Sequence, residues 1–215
     1  MKYKNCIFDL DGTILDTLED LKNSVNYALG QKNYPLRTLN EVRSFIGDGI
    51  AMLIRRAVPE NTAESEITET VDIFKSHYFV HLNDNTCPYD GILNMLSTLK
   101  SMGVNIGVVT NKSHEAAQEL VRKYFNNLVD VTIGQRAGVP TKPDPASLFE
   151  AMNLLGAKTE NTLFLGDSDT DIYTAHNGKV DCVGVTWGFR DKDVLISAGA
   201  DYIVDTPYEI IKIIG

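Results

Sequence analysis

The sequence predicts an α/β protein built on a doubly wound parallel sheet, with an all-helical segment inserted behind its first strand. Three observations carry that prediction. The apolar run Cys6-Ile7-Phe8 reads as a buried parallel strand that stops at two carboxylates, Asp9 and Asp11. From Asp16 to about Asn83 the patterning is helical, with no strand-like run. Beyond Pro88, short apolar strands alternate strictly with amphipathic helices. At 215 residues the chain is long for one compact domain and short for two, which fits one core carrying an insert. The expected division is a core of residues 1–14 and 83–215 and a helical unit of residues 15–82.

The first strand sets the chemistry. Gly12 and Thr13 after Asp11 suit a tight turn, and open α/β sheets place ligands at the carboxyl ends of their strands. Side chains two apart on a strand point the same way, so Asp9 and Asp11 share a side while Leu10 faces away. Two carboxylates this close repel and need a cation, a shared proton, or both. One can stay ionised beside Mg²⁺ and attack, while the other exchanges a proton with a leaving group or water.

Asp16-Thr17 reads as an N-cap for a helix with Leu18, Leu21, Val25, Ala28 and Leu29. Gly30 and Pro35 punctuate, and helices are expected over Leu39–Ile46, Ile50–Val58 and Ala63–Leu82. In the last of these, His77 and His81 have the spacing of a zinc pair, but no further soft ligand lies nearby in sequence and packing within the helical insert is the better reading. Next come a helix over Asp90–Met102, a strand over Val104–Val109, a helix over His114–Phe125 and a strand over Val129–Ile133. A helix follows over Pro145–Leu155, with proline in its first turn. Strands at Thr162–Leu165, Cys182–Val185 and Tyr202–Val204 complete the sheet, separated by helices near Ile172–His176 and Asp193–Ala198.

Three later stretches place polar residues after a predicted strand. Thr110-Asn111 offers a hydroxyl and an amide to phosphate oxygens, or a plain helix N-cap. Lys142, between Thr141 and Pro143, supplies a point charge for a dianion, or is a solvated loop lysine. Gly166-Asp167-Ser168-Asp169-Thr170-Asp171 puts three acids in five residues. Such a cluster suits a hard cation, since Mg²⁺ takes one or two carboxylates and keeps several waters.

In order and register these four stretches resemble the signature motifs of the haloacid-dehalogenase-like hydrolase superfamily, from Asp9 to Asp171. The resemblance implies that Asp9 is the nucleophile forming an aspartyl-phosphate and Asp11 the general acid and base. It implies that Thr110 and the Asn111 backbone bind the phosphoryl group and that Lys142 neutralises charge. Asp167, Asp9 and the backbone carbonyl of Asp11 are implied to hold Mg²⁺, assisted by Asp171. A helical insert between the first and second motifs resembles the C1 type of cap. Asp16-Thr17-Leu18-Glu19-Asp20-Leu21, Arg43-Ser44-Phe45-Ile46-Gly47-Asp48-Gly49, Pro88-Tyr89-Asp90-Gly91 and Val185-Thr186-Trp187-Gly188 are similar to the phosphoglycolate phosphatases. The expected substrate is therefore a small phosphate ester, with phosphoglycolate first and pyrophosphate or a sugar or nucleotide monophosphate as alternatives. Leu21 stands where related phosphomutases carry a histidine, which argues against an isomerase. Arg43 and Gly47 are the cap candidates for a substrate carboxylate.

The net charge of −9 and pI near 4.9 argue against nucleic acid or an anionic membrane as the main partner. No apolar run approaches the roughly 20 residues that span a bilayer, and Met1-Lys2-Tyr3-Lys4-Asn5 leads straight into a strand without a signal-peptide pattern. The three cysteines, Cys6, Cys87 and Cys182, are scattered and form no metal-ligand spacing and no disulfide framework. A cytoplasmic enzyme, monomeric or homodimeric, is the expectation.

Overall fold

In the computed structural model, which describes residues 1–215, the first strand is β1 (Asn5–Phe8), buried at all four residues. After β2 (Leu15–Asp16) the chain enters a run of helices: α1 (Leu18–Gln31), α2 (Leu39–Phe45), α3 (Gly49–Ala57) and α4 (Glu64–His81). It leaves through β3 (Cys87–Pro88) and continues as α5 (Ile92–Ser101), β4 (Asn105–Ser113), α6 (His114–Phe125), β5 (Val131–Gln135) and α7 (Ala146–Leu155). The remaining elements are β6 (Thr162–Gly166), α8 (Asp169–Gly178), β7 (Asp181–Val185), α9 (Lys192–Ser197), β8 (Tyr202–Val204) and α10 (Pro207–Ile214). Residues Met1–Leu15 and Pro88–Gly215 form one compact unit, and Asp16–Cys87 form another.

In the α/β unit the strand order is β5-β4-β1-β6-β7-β8, and all neighbours are parallel. The chain builds outward from β1 through β4 to β5, then returns to the other side of β1 for β6, β7 and β8. The order reverses at β1, and the crevice at the carboxyl ends beside such a reversal is where open α/β sheets bind ligands. Phe8 is level with Val108 on β4 and Leu165 on β6, so Asp9 comes out beside the residues that follow these two. Ile7, Phe164 and Cys182 form a row across β1, β6 and β7. That row packs with Val109 and Ile133 against Leu148 and Ala151 of α7, Ile172 and Ala175 of α8, and Leu195 of α9. Each Val, Leu, Ile or Phe side chain among them contributes about 1.5–3 kcal/mol on burial, so this apolar layer holds the unit together and the acidic crevice does not.

The helical unit packs α1 against α4, α2 and α3, with Val25, Leu29, Val42, Ile54 and Phe74 fully buried. It also takes in residues 83–87, which the sequence reading places in the core. Asp20 on α1 is the reason. Its buried carboxylate accepts from the Asn85 N–H (3.0 Å to both oxygens), Asn85 Nδ2 (2.8 Å), the Thr86 N–H (2.8 Å) and Thr86 Oγ1 (2.8 Å). Burial pushes this carboxyl upward, but the donated hydrogen bonds outweigh it and hold Asp20 below the usual aspartate range. Arg56 braces the turn between α2 and α3 by donating to the Phe45 carbonyl (2.8 Å) and the Asp48 carboxylate (2.5 Å). His77 and His81 lie next to each other on α4. Their rings stack with centroids 4.3 Å apart, while His77 Nδ1 meets Ser24 Oγ and His81 Nδ1 meets Asp84.

Two elements differ from expectation. Strand β4 runs on to Ser113, with its register to β5 shifting between Val109 and Ser113, so Thr110 and Asn111 lie within the strand rather than after it. Helix α10 was absent from the sequence reading, although Thr206 and Glu209 form a capping box with Pro207 in the first turn. No helix of the chain is long and apolar enough to cross a membrane.

Candidate active site

Asp9 leaves β1 where β4 and β6 flank it, its N–H donating to the Leu165 carbonyl at 2.8 Å. The turn that follows depends on Gly12. Its φ of +85° is left-handed, and a Cβ there would stand 2.4 Å from Asp167 Oδ2. Gly166 and Gly188 crowd the same carboxylates, since a Cβ on either would lie 2.3 Å from Asp171 or Asp167 respectively. Glycine at these positions lets the backbone close around the acids.

Asp167, two residues beyond Leu165, is 2 % exposed. It accepts from Thr13 Oγ1 (3.0 Å) on one oxygen and from the Phe189 N–H (2.7 Å) on the other. The loop that supplies Phe189 is tied back by Trp187 Nε1, which donates to the Thr13 carbonyl at 2.9 Å. Asp171, fully buried, closes the α8 capping box: its Oδ2 accepts from the Ser168 N–H (3.0 Å) and Oγ (2.7 Å). Its Oδ1 accepts from Lys142 Nζ at 2.6 Å.

Lys142 is 4 % exposed and far from a solvated loop lysine. Its Nζ also lies 2.9 Å from Asp9 Oδ1, an ion pair whose angles do not make a hydrogen bond, so Asp9 Oδ1 is a buried oxygen without a hydrogen-bond donor. The lysine is held in place by Asn111, whose side chain accepts from the Lys142 N–H (2.9 Å) and donates to the Lys142 carbonyl (3.1 Å). That clamp is a role the sequence reading did not give to the Asn111 side chain. Thr110, buried beside it, accepts from the Lys112 N–H at 3.2 Å.

The sequence reading missed Lys112. Its buried ammonium donates to both oxygens of Asp11, at 2.8 and 2.9 Å. A lysine directly after Thr110-Asn111 was the available signal, but only the β4 register shows that it turns toward the β1 turn.

Ligand oxygens of Asp9, Asp167 and Asp171 lie within 4.8 Å of one another. One ammonium, Lys142, faces all this charge. Burial, with repulsion from Asp171 as a further cause, pushes Asp9 up to about 6 against the pull of Lys142. Burial and the Asp171 and Asp9 charges push Asp167 up to about 8. For Lys142, burial acts downward, yet Asp171 and Asp9 outweigh it and hold the ammonium above the usual lysine range. The cluster is short of positive charge, its donors are all hard oxygens, and Asp9 Oδ1 has no hydrogen-bond donor. These are the features a divalent cation of the Mg²⁺ type would satisfy.

Arg43 and Gly47 belong to the helical unit, on α2 and in the turn after it, and are described within that unit alone. The other predicted site residues, Asp9, Asp11, Thr110, Asn111, Lys142, Asp167 and Asp171, all belong to the α/β unit.

The sequence of residues 6–185 matches the family described as haloacid dehalogenase-like hydrolase. A phosphoglycolate phosphatase of Mannheimia succiniciproducens is 31% identical over 221 residues, covering 99% of each chain. One of Pseudomonas syringae pv. tomato is 31% identical over 208 residues, 94% of this chain and 76% of its own. A crystal structure from Lactobacillus delbrueckii subsp. bulgaricus, of a protein provisionally named phosphoglycolate phosphatase, superposes with a TM-score of 0.94 at 34% identity, over 100% of this chain and 99% of its own. With its parallel sheet, its acidic crevice and a family match over most of its length, the chain belongs to the haloacid dehalogenase-like hydrolases.

Proposed function

We propose that the protein is a Mg²⁺-dependent phosphatase that hydrolyses a small organic phosphate monoester, phosphoglycolate foremost, through an aspartyl-phosphate on Asp9. The observation that carries this reading is the buried set Asp9, Asp167, Asp171 and Lys142, in which a nucleophilic carboxylate is left with an oxygen that accepts no hydrogen bond. Names of the relatives supply the substrate.

Asp9, Asp167 and the Asp11 carbonyl would hold the metal, with Asp171 fixing Lys142 and assisting. When bound, Mg²⁺ supplies a Lewis acid that neutralises phosphoryl oxygens and keeps Asp9 ionised. Asp9 attacks phosphorus in line, and the P–O bond to the alkoxide breaks. Asp11 donates the proton that the leaving oxygen needs, then removes one from the water that hydrolyses the acyl phosphate and restores Asp9. Lys142 and Thr110 receive phosphoryl oxygens, and the Asn111 clamp keeps the ammonium fixed so that no reorganisation is needed as charge shifts. Lys112, bidentate on Asp11, holds that side chain in place, and one of the two contacts must open for Asp11 to carry the proton it donates.

Residues of the α/β unit handle only the transferred group. Reading the organic part of the substrate falls to the helical unit, acting as a cap, with Arg43 and the Gly47–Gly49 turn as the elements that recognise the carboxylate. Gly47 and Gly49 have φ of 128° and 81°, a left-handed turn that follows the helix carrying Arg43. The reading places the enzyme in the cytoplasm, as a monomer or homodimer.

A panel of phosphate monoesters and pyrophosphate assayed with Mg²⁺ tests the proposal. Phosphoglycolate should give the highest kcat/KM. A preference for pyrophosphate, or for a sugar or nucleotide monophosphate, would replace the substrate, and absence of phosphate release from every ester would overturn the phosphatase.

A further inference from the structure

Away from the acidic crevice, the fold gathers a second, chemically different set of donors. His176 lies in the last turn of α8, Cys182 is the second residue of β7, and Asp201 immediately precedes β8. The parallel register pairs Val183 with Tyr202, and one step back along both strands sets Cys182 beside Asp201. The chain separates these residues by 6 and 19 positions, which is why no ligand spacing is visible in the sequence.

Cys182 Sγ is 3.8 Å from His176 Nε2 and 3.3 Å from Asp201 Oδ2, and the three donor atoms lie within 4.8 Å of one another. Zinc bond lengths of about 2.3 Å to sulfur and 2.0–2.2 Å to nitrogen and oxygen imply ligand-to-ligand distances of about 3.5 Å in a tetrahedron. The two measured separations bracket that value. Cys182 is buried while His176 and Asp201 are exposed, so the donors run from the core row to the surface and leave a path for an ion. The Cys182 N–H donates to the same Asp201 oxygen at 2.8 Å, an outer contact that fixes the carboxylate. Gly199 ends the turn after α9 with φ of +88°, and a Cβ there would come within 3.3 Å of the imidazole Cε1. Asp181, next along the strand, adds negative potential from behind its ion pair with Lys2.

We propose that His176, Cys182 and Asp201 form a Zn²⁺ site, three protein ligands with a fourth position open to solvent, distinct in place and chemistry from the Mg²⁺ site. One thiolate and one imidazole select a borderline-soft cation, whereas the three carboxylates of the crevice select a hard one. Metal binding displaces the Cys182 thiol proton to solvent.

The test uses the full chain with Cys87→Ser, which removes the exposed thiol, in buffer with saturating Mg²⁺ to fill the carboxylate site. One equivalent of Co²⁺ should produce a thiolate-to-cobalt charge-transfer band, and one equivalent of Zn²⁺ should remove it. His176→Ala and Asp201→Asn, both at the surface, should each weaken Zn²⁺ binding by at least about tenfold, while Cys182→Ser should abolish the band. Zn²⁺ should raise the thermal midpoint of the Cys87→Ser protein, and raise it less once His176→Ala, Asp201→Asn or Cys182→Ser is added. Absence of the band from the folded Cys87→Ser protein would overturn the site. So would equal Zn²⁺ affinity in the His176→Ala and Asp201→Asn proteins.

Discussion

Lys142→Met removes the ammonium that faces Asp9 and Asp171 in the acidic crevice. In the folded protein Lys142 Nζ is 2.6 Å from Asp171 Oδ1 and 2.9 Å from Asp9 Oδ1, and its side chain is almost wholly out of water. Methionine matches its length and keeps its apolar stem packed, so the main loss is charge. Breaking a buried ion pair by deleting one partner costs about 3–5 kcal/mol, because the remaining charge is left uncompensated. Here the deletion strips two carboxylates at once, which puts the expected cost at the upper end of that range. Urea unfolding in chelator, at pH 7.5 or thereabouts, measures it. Mg²⁺ should restore part of the loss, since a divalent cation can stand against the same carboxylates, and lowering the pH toward about 5 should do so as well by protonating Asp9. Turnover should not recover with Mg²⁺, because the phosphoryl group still lacks its cation. A loss of stability below about 1 kcal/mol in chelator would refute the reasoning, for it would mean that the acids are neutralised by something other than Lys142.

Asp9→Asn should nearly abolish turnover with the fold intact, and retention of more than about a hundredth of the rate would contradict covalent catalysis. Chelation should stop phosphate release and Mg²⁺ restore it, whereas Ca²⁺, larger and with a higher coordination number, should not; full activity in excess chelator would sink the metal role of Asp167. Arg43→Ala should lower kcat/KM for phosphoglycolate about ten- to hundredfold more than for an uncharged phosphate ester, from the loss of a contact of about 1.5–3 kcal/mol, and equal losses would make Arg43 structural. Metal-free protein should lose stability as pH rises from about 5 to 8. Asp9 and Asp167 have folded values raised to about 6 and about 8, above the ordinary aspartate value, so their contribution is complete at low pH and is lost as pH passes through those values. Unfolding midpoints in chelator across that window, with Asp167→Asn flattening the upper part, check the assignment.

Much of this protein is legible in one dimension. The run Cys6-Ile7-Phe8 reads as a strand buried on both faces, and the alternation after Pro88 as a parallel sheet, because periodicity and burial are local consequences of side-chain chemistry. Asp9, Asp11 and Asp167 stand out as carboxylates just after apolar runs, where a parallel sheet exposes its polar ends, whereas Lys142 stands out only through the resemblance of its stretch to a family motif. The strand limit after Val109 was misjudged because Thr110-Asn111-Lys112 is polar, yet the backbone stays extended while those side chains find buried partners. What only the tertiary structure decided is which charge meets which. Lys112 reaches Asp11 across 101 residues, Asn111 clamps Lys142 across 31, and Asp20 gathers residues 85 and 86 into the helical unit. His176, Cys182 and Asp201 come together only because β7 and β8 are parallel neighbours in a fixed register. Such pairings depend on strand order and register, which arise from long-range packing and leave no mark in the spacing of residues along the chain.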